Sequence, residues 1–258
     1  MKVDIEQVKV GTMLPGGKPI NDNGNINATF KAHVKTHKEV IVAYVKLVPE
    51  REIYIECVCA IIGRALGLPI PLPLIVKVDH DALNSIPLGE YKLAFGSEDS
   101  AYPSLKRRGL NDELIDKLSA FKKTLDIGVF DEWIANPDRH GGNILFDGSS
   151  NFVFIDHGLS IPKGCRANHI SEKNIIIESF YKPQSEFEKY RVNRDAQANI
   201  TPQYSNIPFT LISEKTYGTS YLSDEDVVAV IDFLEERSGM LNTLLEQRLC
   251  LQQQELAL

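Results

Sequence analysis

Asn136–Asn143 reads NPDRHGGN, ILF follows at 144–146, and FVFIDHG occupies 152–158; this stretch decides how the chain is read. It gathers Asn136, Asp138, Arg139, His140 and Asn143 between a helical pattern and a short apolar strand. Gly141 and Gly142 let the backbone turn tightly enough for Asp138 and Asn143 to face one cleft. DGSSNF at 147–152 supplies a turn, so the two apolar pieces are expected to form a hairpin. That hairpin returns Asp156, 13 residues after Asn143, to the side of Asn143. Converging Asp and Asn oxygens are hard ligands of the kind Mg²⁺ takes, and a further carboxylate can orient a hydroxyl or accept its proton. Taken alone, the first cluster reads equally as a solvated Asp/Asn/Gly turn. Two polar clusters at the two ends of one apolar hairpin favour the chemical reading.

Upstream, VDIEQVKVG alternates loosely and breaks at Gly11, while INATFKAHVKT and EVIVAYVKLV are dense in β-branched and aromatic residues. With Gly, Pro and Asn between them, these pieces predict a small antiparallel sheet. The period then changes: Ile55, Cys59, Ile62 and Leu66 mark the buried stripe of a helix that starts after Pro49 and ends at Gly67. LPIPLPLIVKVDHD returns to extended chain, its prolines suiting a sheet edge. SIPLGEYKLAFGSEDSAYPSL has no clean period and reads as a crossover between two lobes. Helices are expected from Asn111, a candidate N-cap, and from Leu125 to Ala135. Residues 166–220 stay unassigned. A last helix or helix pair is capped by Ser223 with Asp226, with Gly239 as its expected break.

At 258 residues, 43% hydrophobic and 24% charged, the chain is no disordered segment and has room for one large fold or two packed lobes. A net charge of −7 disfavours a nucleic-acid partner. Cys57, Cys59, Cys165 and Cys250 lack paired metal-ligand spacing and read as reduced thiols. The N-terminus has no apolar signal region and no apolar run reaches the length of a membrane span, so a cytoplasmic protein without a membrane partner is expected.

NPDRHGGN, ILF and FIDHG together resemble the catalytic segment of the HipA-like kinases, and are similar to that of phosphatidylinositol-type lipid kinases. The resemblance implies a two-lobed, protein-kinase-like α+β fold, with a strand-rich lobe over residues 1–90 and a helical lobe over 91–258. It implies an ATP- and Mg²⁺-dependent serine/threonine kinase acting on a protein, in families often tied to toxin–antitoxin systems, so that an antitoxin-like or regulatory protein partner is expected. Asp138 takes the position of the catalytic aspartate, and Asn143 and Asp156 those of the metal-binding pair. The five-residue interval from Asp138 to Asn143 is the one protein kinases use. DHG stands in place of DFG, so the phenylalanine packing argument does not transfer. His140 is expected to be architectural.

Lys46, ending the strand VAYVK, matches the phosphate-contacting lysine of the kinase sheet, and its partner is a glutamate of the following helix. Glu52 and Glu56 both qualify; the match of ECVCAIIGRALGLPIP to the family segment favours Glu56. Gly16 and Gly17, with Gly24, can present backbone N–H groups to phosphates, although the segment does not match GxGxxG. Adenine is expected near Glu90–Phe95. The reading from a different class is a pseudokinase-like nucleotide-binding interaction module; its support is the poor glycine loop, and the joint presence of Lys46, Asp138, Asn143 and Asp156 speaks against it.

Overall fold

The computed structural model describes residues 3–20, 27–109 and 111–251. Strands β1 (Lys9–Met13), β2 (Lys18–Pro19), β3 (Thr29–Thr36) and β4 (Val40–Lys46) precede helix α1 (Glu50–Ala65), and β5 (Pro73–Asp79) and β6 (Tyr91–Glu98) follow it. They form one sheet in the order β1-β5-β6-β4-β3-β2, in which β1 pairs again with β3 and closes the sheet on itself. Alternation explains the closure. Met13, Val34, Ile41, Ala43, Val45, Leu74 and Val76 point inward and form a core of their own. Gly11 belongs to this interior, where an added Cβ would lie 2.6 Å from Val34 Cγ1; the strand runs through it to Met13 instead of breaking there.

Three sheet expectations change. The sheet is not wholly antiparallel, because β1 pairs in parallel with β5. β5 is internal, flanked by β1 and β6, and accommodates its prolines because Pro73 is its first residue and Pro69 and Pro71 precede it. The aperiodic segment expected to cross between lobes contains β6, hydrogen-bonded to both β4 and β5, so the sheet runs to Glu98, past residue 90. β6 lacks visible alternation because Ala94, Phe95 and Gly96 are buried in succession.

The remainder is mostly helical: α2 (Leu105–Arg108), α3 (Asp112–Ala120), α4 (Thr124–Trp133), the hairpin β7 (Ile144–Phe146) and β8 (Phe152–Phe154), then α5 (Ile175–Phe180), α6 (Glu186–Asp195), α7 (Ile212–Thr216) and α8 (Asp224–Leu249). Asn111 and Ser223 are N-caps as read, accepting from the amides of Leu114 and Asp226. α8 does not break at Gly239; its buried residues continue from Val227 to Leu249, and packing holds the glycine in helix. The stretch from 166 to 220, which has no clean period in the sequence, holds α5, α6 and α7. Among the described residues no helix is long and apolar enough to cross a membrane.

A larger core joins α1, α4, the hairpin and α8. Trp133, fully buried, donates from Nε1 to the Leu234 carbonyl at 3.0 Å and so fixes α8 on α4. The irregular segment before β1 straps across to the helical part: Ile5 and Val8 are buried, and the Val8 amide donates to the Lys215 carbonyl at 2.9 Å.

Candidate functional site

Lys46 closes β4, facing Thr29 of β3 on one side and Phe95 of β6 on the other. Its Nζ lies 2.8 Å from Asp156 Oδ1 and 3.6 Å from Glu56 Oε1. Glu56 sits in the middle of α1 and is 1% exposed, a position that needs charged partners. Burial pushes its carboxyl pKa up, but the Lys46 charge and the contacts with His157 outweigh this and hold it down at about 2. Burial likewise pushes the Lys46 ammonium down, and Glu56 and Asp156 more than reverse it, so its pKa is raised. Glu52 lies one turn earlier; burial and the Glu56 charge raise its pKa, and its side chain lies where a Cβ on Gly158 would have to go. The ion pair with Lys46 therefore falls to Glu56.

The loop carrying Asp138 and Asn143 is built on a buried ion pair. Asp131, at the end of α4, is fully buried and takes a fork from Arg139, whose Nε and NH2 donate to its two oxygens at 2.9 Å each. Asn136 Nδ2 adds a bond to Asp131 at 2.9 Å, and Asn136 Oδ1 accepts from the Asp138 amide at 3.0 Å. Arg139 NH1 reaches the carbonyls of Asn143 at 3.2 Å and Ile155 at 2.7 Å. One guanidinium thus holds both the loop and the far end of the hairpin. Asn143 Nδ2 donates to the Asp138 carbonyl at 2.9 Å, which leaves its Oδ1 as the atom able to take a ligand. His140 is architectural in its contacts: Nδ1 accepts from the Gly142 amide at 2.9 Å, and Gly142 has no room for a Cβ against that ring.

The hairpin does what the spacing demanded. Ile144 pairs with Phe154, and the Ile155 amide donates to the Asn143 carbonyl at 3.1 Å, so Asp156 emerges beside Asn143. Asp156 has φ +65°, a left-handed conformation costly for a non-glycine residue. It is held there from both sides, by Arg139 on Ile155 and by the His157 amide donating to Glu56 Oε2 at 2.9 Å. The His157 ring is buried edge-on to Phe130 at 5.9 Å, so it packs into the core.

Lys46 is paired with Glu56 and Asp156, and Asn143 is bonded to Asp138 and to Ile155 beside Asp156. Gly16, at φ +90°, and Gly17 lie in the turn between β1 and β2, and among the described residues no hydrogen bond or ion pair joins that turn to Lys46, Asp138 or Asp156. Gly24 lies outside the described residues. Glu90–Phe95, expected near adenine, runs into β6. Asp131 and His157 are the residues the sequence reading missed; the period of α4 makes Asp131 look like any helical acid, and only the fork from Arg139 distinguishes it.

A cation fits this geometry. Around Lys46 stand Glu52, Glu56 and Asp156, with Asp138 beyond Asn143, so negative charge is in excess. Among the described residues no three His, Cys, Asp or Glu side chains cluster into a cage. One carboxylate and one amide oxygen, Asp156 and Asn143, are what Mg²⁺ uses when phosphate oxygens and water complete its shell. Asp138, with its side chain 43% exposed, is open to an incoming hydroxyl.

A family model described as HipA-like kinase matches residues 33–221, well over half of the chain. Among solved structures, the crystal structure of the proinflammatory kinase CtkA of Helicobacter pylori is similar, with a TM-score of 0.54 at 15% identity, over 93% of this chain and 98% of that one. At that identity the likeness speaks for the fold. No curated protein matches.

Proposed function

This chain belongs to the HipA-like kinase family, and from that premise we propose that it transfers the γ-phosphate of ATP to a serine or threonine hydroxyl of a protein. The observation that carries the reading is Lys46 meeting both Glu56 of α1 and Asp156 beyond the hairpin, with Asn143 joining Asp156 to Asp138. Two separate pieces of chain converge on one lysine. A purely structural role needs no such excess of acid around it.

In this reading the sheet up to Glu98 and α1 make the nucleotide-facing lobe, and the rest makes the acceptor-facing lobe. Lys46 holds the α- and β-phosphates, its charge and direction kept by Glu56. Asn143 Oδ1 and Asp156 would hold Mg²⁺, which when bound neutralises charge on the transferring phosphoryl group. Asp138 aligns the acceptor hydroxyl and takes its proton; Arg139 fixes the distance between that carboxylate and Asp156 through the bonds it makes to both segments. Most of the rate gain comes from this positioning and from charge placed in advance. Gly16 and Gly17 join the phosphate contacts only if the β1–β2 turn folds over the nucleotide. Family membership is what supports an antitoxin-like protein partner.

The test is transfer of labelled γ-phosphate from ATP with Mg²⁺ to the chain itself and to a protein acceptor pool. Label lost in both Asp138→Ala and Asp156→Ala is the expected result. Mg²⁺-dependent ATP binding with no transfer to any acceptor would replace this reading by the nucleotide-binding module.

A further inference from the structure

Between the loop 165–168 and α8 lies an open groove of about 390 Å³. Its helix wall is one stripe of α8, because Ala229, Asp232, Phe233, Glu236 and Met240 follow i, i+3, i+4, i+7 and i+11. A depression beside a surface helix is often only solvated. Two observations distinguish this one.

The first is that both walls are fixed. Arg237 of α8 holds the loop: its NH1 donates to the carbonyls of Ala167 and His169 at 2.6 Å each, while Nε and NH2 donate to the carbonyls of Trp133 and Glu132. The same guanidinium lies 5.1 Å from the Phe233 ring centroid and so sets the ring that lines the groove. The second is that the charges lining it are unspent. Asp232, Glu236 and Arg166 are exposed, and among the described residues no side-chain hydrogen bond or ion pair engages any of the three, although they share one groove.

Acids outnumber the cation two to one, so the groove complements a basic ligand. Its spacing defines that ligand further. Side chains four apart on a helix have Cβ atoms about 5–6 Å apart, and residues two apart in an extended chain lie about 7 Å apart on one side. Basic side chains at alternate positions of an extended segment therefore match Asp232 and Glu236. Their aliphatic stems cover apolar surface of the kind that Ala229, Phe233 and Met240 present, and Arg166 is a donor for the carbonyls of such a segment.

We propose that this groove is a docking site for an extended segment of a partner protein with arginine or lysine at alternate positions. The inference does not depend on phosphoryl transfer, since no residue of the groove belongs to the site around Lys46.

The test is binding of fluorescein-labelled alanine heptapeptides to the full chain, read by anisotropy. One peptide carries two arginines at alternate positions, a second carries them at adjacent positions, and a third carries two glutamines at alternate positions. The variants are the pair Asp232→Lys and Glu236→Lys, the pair Glu225→Lys and Glu235→Lys as a control for charge elsewhere on α8, and Ala229→Phe to fill the groove. We expect the alternating arginine peptide to bind tightest, roughly fivefold or more above the glutamine peptide, on the scale of two exposed ion pairs, and to weaken with salt. The groove pair should erase that preference, the control pair should leave it, and Ala229→Phe should weaken binding with the charges intact. No measurable binding of the alternating arginine peptide overturns the site, as does a preference that survives the groove pair or is equally lost in the control pair. Equal binding of the two arginine peptides overturns the extended register in favour of general charge attraction. Self-association of the chain in sedimentation, abolished by the groove pair, would make the occupant a second copy and overturn the partner assigned here.

Discussion

Two charge clusters start from neighbouring residues of α4 and are built on opposite principles. Inside the helical part, Glu132 is fully buried and met by Arg237 and by Arg248, whose Nε donates at 2.8 Å, while Arg248 also reaches Glu178 at 2.7 Å. Together with the Asp131–Arg139 pair, three acids there face three arginines, and Arg237 spends its remaining donors on the carbonyls of Glu132, Trp133, Ala167 and His169. Around Lys46 the count is unequal: one ammonium faces Glu52, Glu56 and Asp156. The first cluster is complete without anything from outside. The second keeps an excess of acid, so that in the function proposed above one cluster serves stability and the other chemistry.

The largest expected effect separates them directly. Asp138→Ala and Asp156→Ala should each lower phosphoryl transfer by about 10³-fold or more while thermal unfolding stays within a few degrees of wild type, as read by calorimetry beside a transfer assay. Arg237→Ala should do the reverse. It takes the donor from four buried carbonyls and leaves Glu132 with Arg248 alone as its cation, and chemical denaturation should show a loss of about 3–5 kcal/mol; an unchanged midpoint would mean that the buried network carries no stability. Arg237→Lys should recover little of it, since one ammonium cannot reproduce the planar fork.

Glu56 stands between the two kinds and its pH dependence sharpens the contrast. Its native carboxyl is held at about 2, below the ordinary 4.5, so its ionisation stabilises the fold fully above pH 4.5 and that contribution is lost as pH falls toward 2. The stability advantage of wild type over Glu56→Gln, followed by urea unfolding from pH 6 down to pH 3, should therefore shrink with acid. An advantage that grows on acidification would mean that the carboxyl is not held low. The smallest effect lies in neither cluster: Gly239 has open space around an added Cβ and sits inside α8, so Gly239→Ala should stabilise by about 0.5–1 kcal/mol.

What was legible in the sequence was what short spacing determines. Asp138, Asn143 and Asp156 are tied together by one loop and one hairpin, Lys46 and Glu56 lie ten residues apart across a strand end and a helix start, and both sets meet as expected. The N-caps Asn111 and Ser223 were legible for the same reason. Closure of the barrel was not, because the parallel pairing of Lys9–Thr12 with Leu74–Lys77 spans more than sixty residues and leaves no local trace. Nor was the balanced cluster: Glu132 reads as an ordinary helical acid until Arg237 and Arg248, 105 and 116 residues later, fold onto it. Gly239 misled because a helix-breaking preference of about 1 kcal/mol yields to an apolar face that continues on both sides of it.

The strap before β1 has a consequence for how the chain is made. Val8 is hydrogen-bonded to Lys215 and Gln7 to Glu214, so these residues find those partners only after more than two hundred further residues have been made. β1 can meet β3 and β5 early, and Glu6 can pair with Arg64 of α1, but the bonds of Gln7 and Val8 wait until α7 exists. The sheet and the helices are thus joined by a contact of very long loop length, and the last step of folding is expected to be a joining of the two parts, slow for its entropy and not for its chemistry.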